Sequence, residues 1–148
     1  MYVAIFHEQF HIEPAEPPVD DIYFADDQEA EDGLSVFPTH AAVGTPVRTA
    51  ACSISVVFAE EPPPLGDAVR AVAFPLRVDT DDGLFVRTVG QEPDMDNRLS
   101  IPKGDHVLMV RFFPASPNPN EEELPPDYRV WDVVITVLPI GAMATGVL

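Results

Sequence analysis

His7-Glu8-Gln9-Phe10-His11 spells H-E-x-x-H. In zinc peptidases that spacing works on a helix, which sets both imidazoles about one turn apart on one face, with the Glu beside the metal-bound water. Here the motif lies in a stretch that alternates like a strand. Tyr2, Ala4, Phe6, Phe10 and Ile12 share one face, and Glu8 is the only breach. On a strand, residues four apart stand roughly 13 Å from each other at ~3.3 Å per residue, whereas zinc holds its nitrogen ligands at about 2.0–2.1 Å. Pro14, Pro17 and Pro18 also bar a long helix afterwards. A zinc hydrolase using His7, Glu8 and His11 is therefore a remote alternative, and no metal site is expected.

The other chemistry-bearing residues argue no more strongly for an enzyme. Asp79-Thr80-Asp81-Asp82-Gly83 resembles a calcium loop in composition. Counted from Asp79, however, Gly83 falls fifth and Gly90 twelfth, where an EF-hand needs Gly at six and Glu at twelve. Pro93–Asn97 is likewise more turn than cage. No G-x-S-x-G is present, His40 and His106 have no partner at a recognisable spacing, and Gly66 and Gly104 are isolated turn glycines. Cys52, the single cysteine, sits in an apolar strand-like run and reads as a buried, inert thiol. The expectation is no catalytic residue and no cofactor.

The elements that must position these residues are strands. Tyr2–Ile12, Gly33–Thr39, Val47–Phe58, Ala68–Val78, Leu84–Val89, Arg98–Ile101, Val107–Phe113 and Tyr128–Leu138 read as β, separated by turn residues. Asp79–Gly83 predicts a hairpin from the fourth of these strands to the fifth. P-K-G-D at Pro102–Asp105 predicts another from the sixth to the seventh, with Pro and Gly where a type I turn prefers them. No segment keeps a 3.6-residue period over three turns. The fold expected is all-β: a single-domain antiparallel β-sandwich of about seven to eight strands with long Pro- and acid-rich loops. It should occupy residues 1–138, with 139–148 as an apolar C-terminal extension.

Charge then limits the partners. The 148 residues carry 25 Asp and Glu against 8 Lys and Arg, a net charge of −17. Between Glu8 and Asp32 there are ten carboxylates and neither Lys nor Arg. Direct nucleic-acid binding needs a basic stripe that this chain lacks. Its field draws in cationic surfaces instead. The uncharged run Val133–Leu148 is short of the ~20 residues that span a bilayer as a helix, and no secretory leader is visible, so a soluble cytoplasmic protein is expected.

Read as ordered blocks, the chain resembles the competence protein J family. The blocks are F-H-E-Q-F (Phe6–Phe10), D-G-L-S-V-F (Asp32–Phe37), V-A-F-P-L-R-V (Val72–Val78) leading to G-L-F-V (Gly83–Val86), R-L-S-I-P-K-G-D-H-V-L (Arg98–Leu108) and Y-R-V-W-D-V-V-I-T-V (Tyr128–Val137). The loops at 60–67 and 114–127 are longer than the family pattern, and residues 139–148 run past its end.

The resemblance implies a non-enzymatic inhibitor that binds a competence-type nuclease, active where DNA enters the cell, and blocks its DNA cleavage. An acidic protein suits a groove lined with Lys and Arg. From charge density alone, the candidate partner-binding residues are Asp20, Asp21, Asp26, Asp27, Glu29, Glu31 and Asp32, with Glu121, Glu122 and Glu123 as a second patch. The alternative is a β-sandwich interaction module whose acidity serves solubility or a high-salt environment. An exposed edge strand would offer a homodimer surface.

Overall fold

Short β-branched and aromatic stretches pair into two sheets that bury their apolar faces against each other. The computed structural model describes residues 1–5, 8–16, 32–46, 49–88, 94–115 and 129–148. The six-stranded sheet has the order β1 (Tyr2–Ala4), β5 (Thr49–Phe58), β10 (Arg129–Pro139), β9 (Gly104–Pro114), β6 (Arg70–Val78), β11 (Gly146–Val147). The five-stranded sheet has the order β3 (Leu34–Val36), β4 (Ala41–Gly44), β2 (Gln9–Glu13), β7 (Leu84–Arg87), β8 (Arg98–Leu99). The all-β sandwich expected from the sequence is present. It has 11 strands among the described residues, more than the expected number, and one pair, β5 with β10, is parallel.

Three expected elements are rearranged, all for one reason: the chain changes sheets where the sequence reads as continuous strand or hairpin. Tyr2–Ile12 is two strands. At Glu8 the backbone takes φ 55°, and β1 stays in the six-stranded sheet while β2 joins the other. The break resets the alternation, so Val3 and Ile5 point inward, with Tyr2 outside, ahead of Phe10 and Ile12. Asp79–Gly83 and residues 100–103 are likewise crossings between sheets: β7 pairs with β2 and β8, and β9 pairs with β6 and β10. The predicted strand Gly33–Thr39 ends at Val36, and a turn leads into β4, which sequence reading missed because Ala41-Ala42-Val43-Gly44 carries little strand signal.

The core between the sheets is built from Phe10 and Ile12 of β2, Phe74 of β6, Phe112 of β9 and Ile135 of β10. Phe10 and Phe112 meet across the layers with ring centroids 6.1 Å apart and planes tilted by 42°. Burying each such ring is worth roughly 1.5–3 kcal/mol.

The outer face of the six-stranded sheet is partly covered as well. Ala73, Val107, Met109 and Leu138 are buried there against Ala59, Ala142 and Met143. Residues 139–148, expected as an extension, turn at Pro139–Ala142 and return as β11 on the edge of β6. That edge is closed along its length. The Leu148 N–H donates to Ala71 O (3.0 Å), β11 covers Val72 and Ala73, Pro75 has no N–H to offer, and the Arg77 N–H donates to Pro38 O (2.9 Å).

Gly83 closes the β6–β7 crossing with φ 76°, and a Cβ there would meet the Leu99 carbonyl of β8. Gly66 has φ 59° with open space around it. Gly66→Ala is therefore expected to cost only the left-handed penalty of about 1–2 kcal/mol. Gly83→Ala should cost at least about 1 kcal/mol more for the backbone clash. Urea unfolding of the two variants checks this, and equal losses would mean that β8 yields freely.

Candidate partner-binding surface

Several of the described cations act as fasteners between segments of the chain. Arg87 of β7 forms an ion pair with Glu13 of β2, the carboxylate side chain fully buried and the arginine 11% exposed. The register explains the meeting. Ser35, Ala42, His11 and Arg87 form one row across the outer face of the five-stranded sheet, and Glu13 stands two residues along from His11, diagonal to Arg87.

Arg70 reaches from β6 to the backbone carbonyl of Asp32. Burial holds its pKa below the usual guanidinium value, and the Asp32 charge opposes that fall. Arg98 donates to the carbonyls of Asp82 and Asp81, pinning the acidic turn to β8. Arg111 donates to Pro64 O (3.0 Å), holding the Pro-rich loop over β9, and lies 5.3 Å from the Phe113 ring centre. Arg77 pairs with Asp79 (2.8 Å), and Lys103 with Asp81 (3.5 Å). Arg70, Arg98 and Arg111 thus spend donors on backbone carbonyls. Much of the negative charge therefore remains on the outside.

Of the acidic residues expected to meet a partner, Asp20, Asp21, Asp26, Asp27, Glu29, Glu31, Glu121, Glu122 and Glu123 lie outside the described residues. Asp32 is described, and it is half-buried where the chain enters β3. At the other end of the sandwich the fold gathers exposed acids that charge density had not singled out. Glu16, Asp79 and Thr80 line a cleft of about 210 Å³, and Asp81, Asp82 and Asp105 lie on the neighbouring crossings. Glu60 and Glu61 follow the end of β5. Only the return of β5, β6, β9 and β10 to one end joins these residues, which are dispersed in sequence.

The H-E-x-x-H residues have structural surroundings. The Glu8 carboxylate accepts the Thr49 N–H (3.1 Å), and its carbonyl accepts the Thr45 N–H (2.9 Å), at the point where the chain changes sheets. Thr49 in turn donates to Pro46 O and accepts the Trp131 indole N–H (2.9 Å), so Glu8, β5 and β10 share one polar node. His11 is buried within β2, and His7 is outside the described residues. Among the described residues no group of three or more His, Cys, Asp or Glu could hold a metal ion.

His40 is buried in the β3–β4 turn, stacked on Phe37 at 4.5 Å, and desolvation lowers its pKa. His106 Nε2 lies 2.7 Å from Pro102 O. Because a carbonyl only accepts, that nitrogen carries the proton. Cys52 is fully buried, and its thiol is pushed up to about 12, chiefly by burial and secondly by the Glu8 charge.

The family model for competence protein J (ComJ) matches residues 2–131. The chain belongs to the ComJ family. A search of curated protein sequences finds no match. Among solved structures it is similar to ComJ from Bacillus subtilis, described as the inhibitor of the DNA degrading activity of NucA. The TM-score is 0.67 and the identity 18%, covering 95% of this chain and 94% of that one. It is also similar to the crocagin biosynthetic gene J product, with a TM-score of 0.50 and 12% identity over the same shares of the two chains. At these identities the likeness concerns the fold.

Two of the ComJ blocks fall on sheet crossings. R-L-S-I-P-K-G-D-H-V-L carries β8 of one sheet into β9 of the other, and F-P-L-R-V through G-L-F-V carries β6 into β7. No helix among the described residues of this ComJ-family chain is long and apolar enough to cross a membrane.

Two expectations follow for the buried groups. Arg87→Met leaves the Glu13 carboxylate in the interior without its counter-ion and should cost about 3–5 kcal/mol at neutral pH, measured by urea unfolding. Cys52 should resist thiol reagents at pH 8 in the native protein and react once the chain unfolds. Because its folded pKa is raised from 9.0 to about 12, its contribution to stability is intact below pH 9 and is lost as the pH climbs from 9 towards 12. Rapid native labelling at pH 8 would show that the thiol is accessible.

Proposed function

We propose that this protein is an acidic, non-enzymatic inhibitor that binds a competence-type nuclease and blocks its DNA cleavage. The observation that carries the reading is membership of the ComJ family over residues 2–131, joined to a shared fold with a described inhibitor of nuclease activity. The charge distribution supports a mechanism. A nuclease holds DNA in a groove lined with Lys and Arg, and a protein of net charge −17 matches that field without being cleaved.

In this reading the acid-rich segment containing Asp20, Asp21, Asp26, Asp27, Glu29, Glu31 and Asp32, with Glu121, Glu122 and Glu123, supplies much of the attraction. A few side-chain anchors then set the lifetime of the complex. Occupying the groove excludes phosphate, so no bond in the inhibitor needs to break. A catalytic residue is not required.

Titrating a competence-type nuclease with this protein should abolish DNA cleavage at close to equimolar ratio at low salt. Inhibition should weaken as ionic strength rises, because the screening length falls from ~10 Å at 0.1 M to ~3 Å at 1 M. Cleavage that persists undiminished at every salt concentration would overturn the proposal. In that case a protein that also lost stability on salt removal would point to the high-salt interaction module.

A further inference from the structure

We infer that the apolar cleft at the ends of β5, β9 and β10 is the anchor site for the basic partner, receiving an apolar side chain flanked by Lys or Arg. The inference rests on the inhibitor reading above and names where the nuclease is gripped. The cleft has a volume of about 410 Å³ and is lined by Phe58, Val137, Leu138 and Pro139, with Glu60 and His106 as its polar residues. Phe58 is 59% exposed, and Ile140, which follows Pro139 and lines the adjoining cleft, is 60% exposed. Large apolar side chains left in water and rimmed by charge mark interaction surfaces.

Charge selects the occupant. Glu60 and Glu61 are exposed at the end of β5, and no described cation forms an ion pair with either. A Lys or Arg of a partner would therefore find carboxylates in need of a counter-ion around an apolar socket. The adjoining cleft of about 360 Å³, between Phe37, Pro75 and Ile140, includes Arg77 in its lining. Asp79 pairs with that guanidinium and Asp105 stands opposite it in the β6–β9 register, so the carboxylates there already have a cation and the Phe58 cleft is the better fit for a basic partner. Strand addition at the edge of β6 is not open to the partner, because that edge is already closed by β11, Pro75 and Pro38.

The test compares the full chain with three exposed-site variants against a competence-type nuclease, following inhibition and binding kinetics at about 0.1 M salt. Phe58→Ala should weaken binding by about tenfold or more, through faster dissociation. Glu60→Lys should slow association several-fold. Asp132→Lys makes the same charge change on β10, five residues before Val137 and roughly 16 Å away at ~3.3 Å per residue, and should leave inhibition close to wild type. All three should keep the wild-type unfolding temperature.

Wild-type inhibition that none of the variants diminishes would overturn the cleft while leaving the inhibitor reading intact. Equal losses for Glu60→Lys and Asp132→Lys, with Phe58→Ala unaffected, would reduce the effect to the overall field and also overturn it. A dimer in sedimentation that Phe58→Ala dissociates without loss of inhibition would assign the cleft to a second copy of the chain. A wild-type protein that neither binds nor inhibits would overturn both readings together.

Discussion

Phe10 and Phe112 hold the two layers of this protein together, and the rest of the structure depends on that packing. Each comes from a different sheet, and each is fully buried. The chain passes between sheets at Glu8, between β4 and β5, at Asp79–Gly83 and at residues 100–103. Four of the ten successive strand-to-strand steps among the described residues therefore change layers, and neither sheet can be completed before the other. The parallel contact of β5 with β10 is a product of this weaving, since parallel neighbours need a long connection between them. Features that look local, such as the left-handed backbone at Glu8 or the close approach of Gly83 to β8, are consequences of crossing from one layer to the other.

The distribution of charge follows from the same architecture. A sandwich with long connections needs fasteners where those connections meet the sheets, and arginine, with a planar fork of donors on a long stem, suits carbonyl-rich loops. Arg70, Arg98 and Arg111 each fasten a segment of backbone, while Arg87 is taken into the outer face of the five-stranded sheet by Glu13. These four arginines are thereby drawn onto loops and into the sheet, while carboxylates such as Glu16, Glu60, Asp82 and Asp105 stay in solvent. In the inhibitor reading proposed above, structural demand and charge point the same way.

The sheet edges narrow the mode of binding. An open β6 edge would invite strand addition, with main-chain bonds indifferent to sequence. The C-terminal residues, Pro75 and the β3–β4 turn occupy that edge instead. Side chains are left to provide recognition there, and the exposed apolar residues at the ends of β5 and β10 sit beside acids that lack counter-ions. A steering field acts at a distance, whereas an apolar socket acts only at contact. Having both on one end of the molecule separates rapid capture from slow release.

Much of this protein was legible in the amino-acid order alone. Alternation and turn residues marked most strands. The lack of any helical period and the scarcity of Lys and Arg pointed to an acidic all-β protein, and the ordered blocks from Phe6 to Val137 pointed to the ComJ family. The apolar run around Cys52 marked a buried thiol. These properties depend on composition and on neighbours within a few residues, which a linear reading samples directly. What only the tertiary structure decided was sheet membership: Tyr2–Ile12 divides between layers, Asp79–Gly83 and P-K-G-D become crossings, and the final residues return to close an edge. Hairpin and crossing use the same turn residues, because both reverse or redirect the chain locally. The choice between them is made by which sheet buries the next apolar face, an energy that arises from residues distant in sequence. For the same reason Phe58, Glu60 and His106 appeared as unrelated residues in the sequence, and only the shared end of β5, β9 and β10 made them one surface.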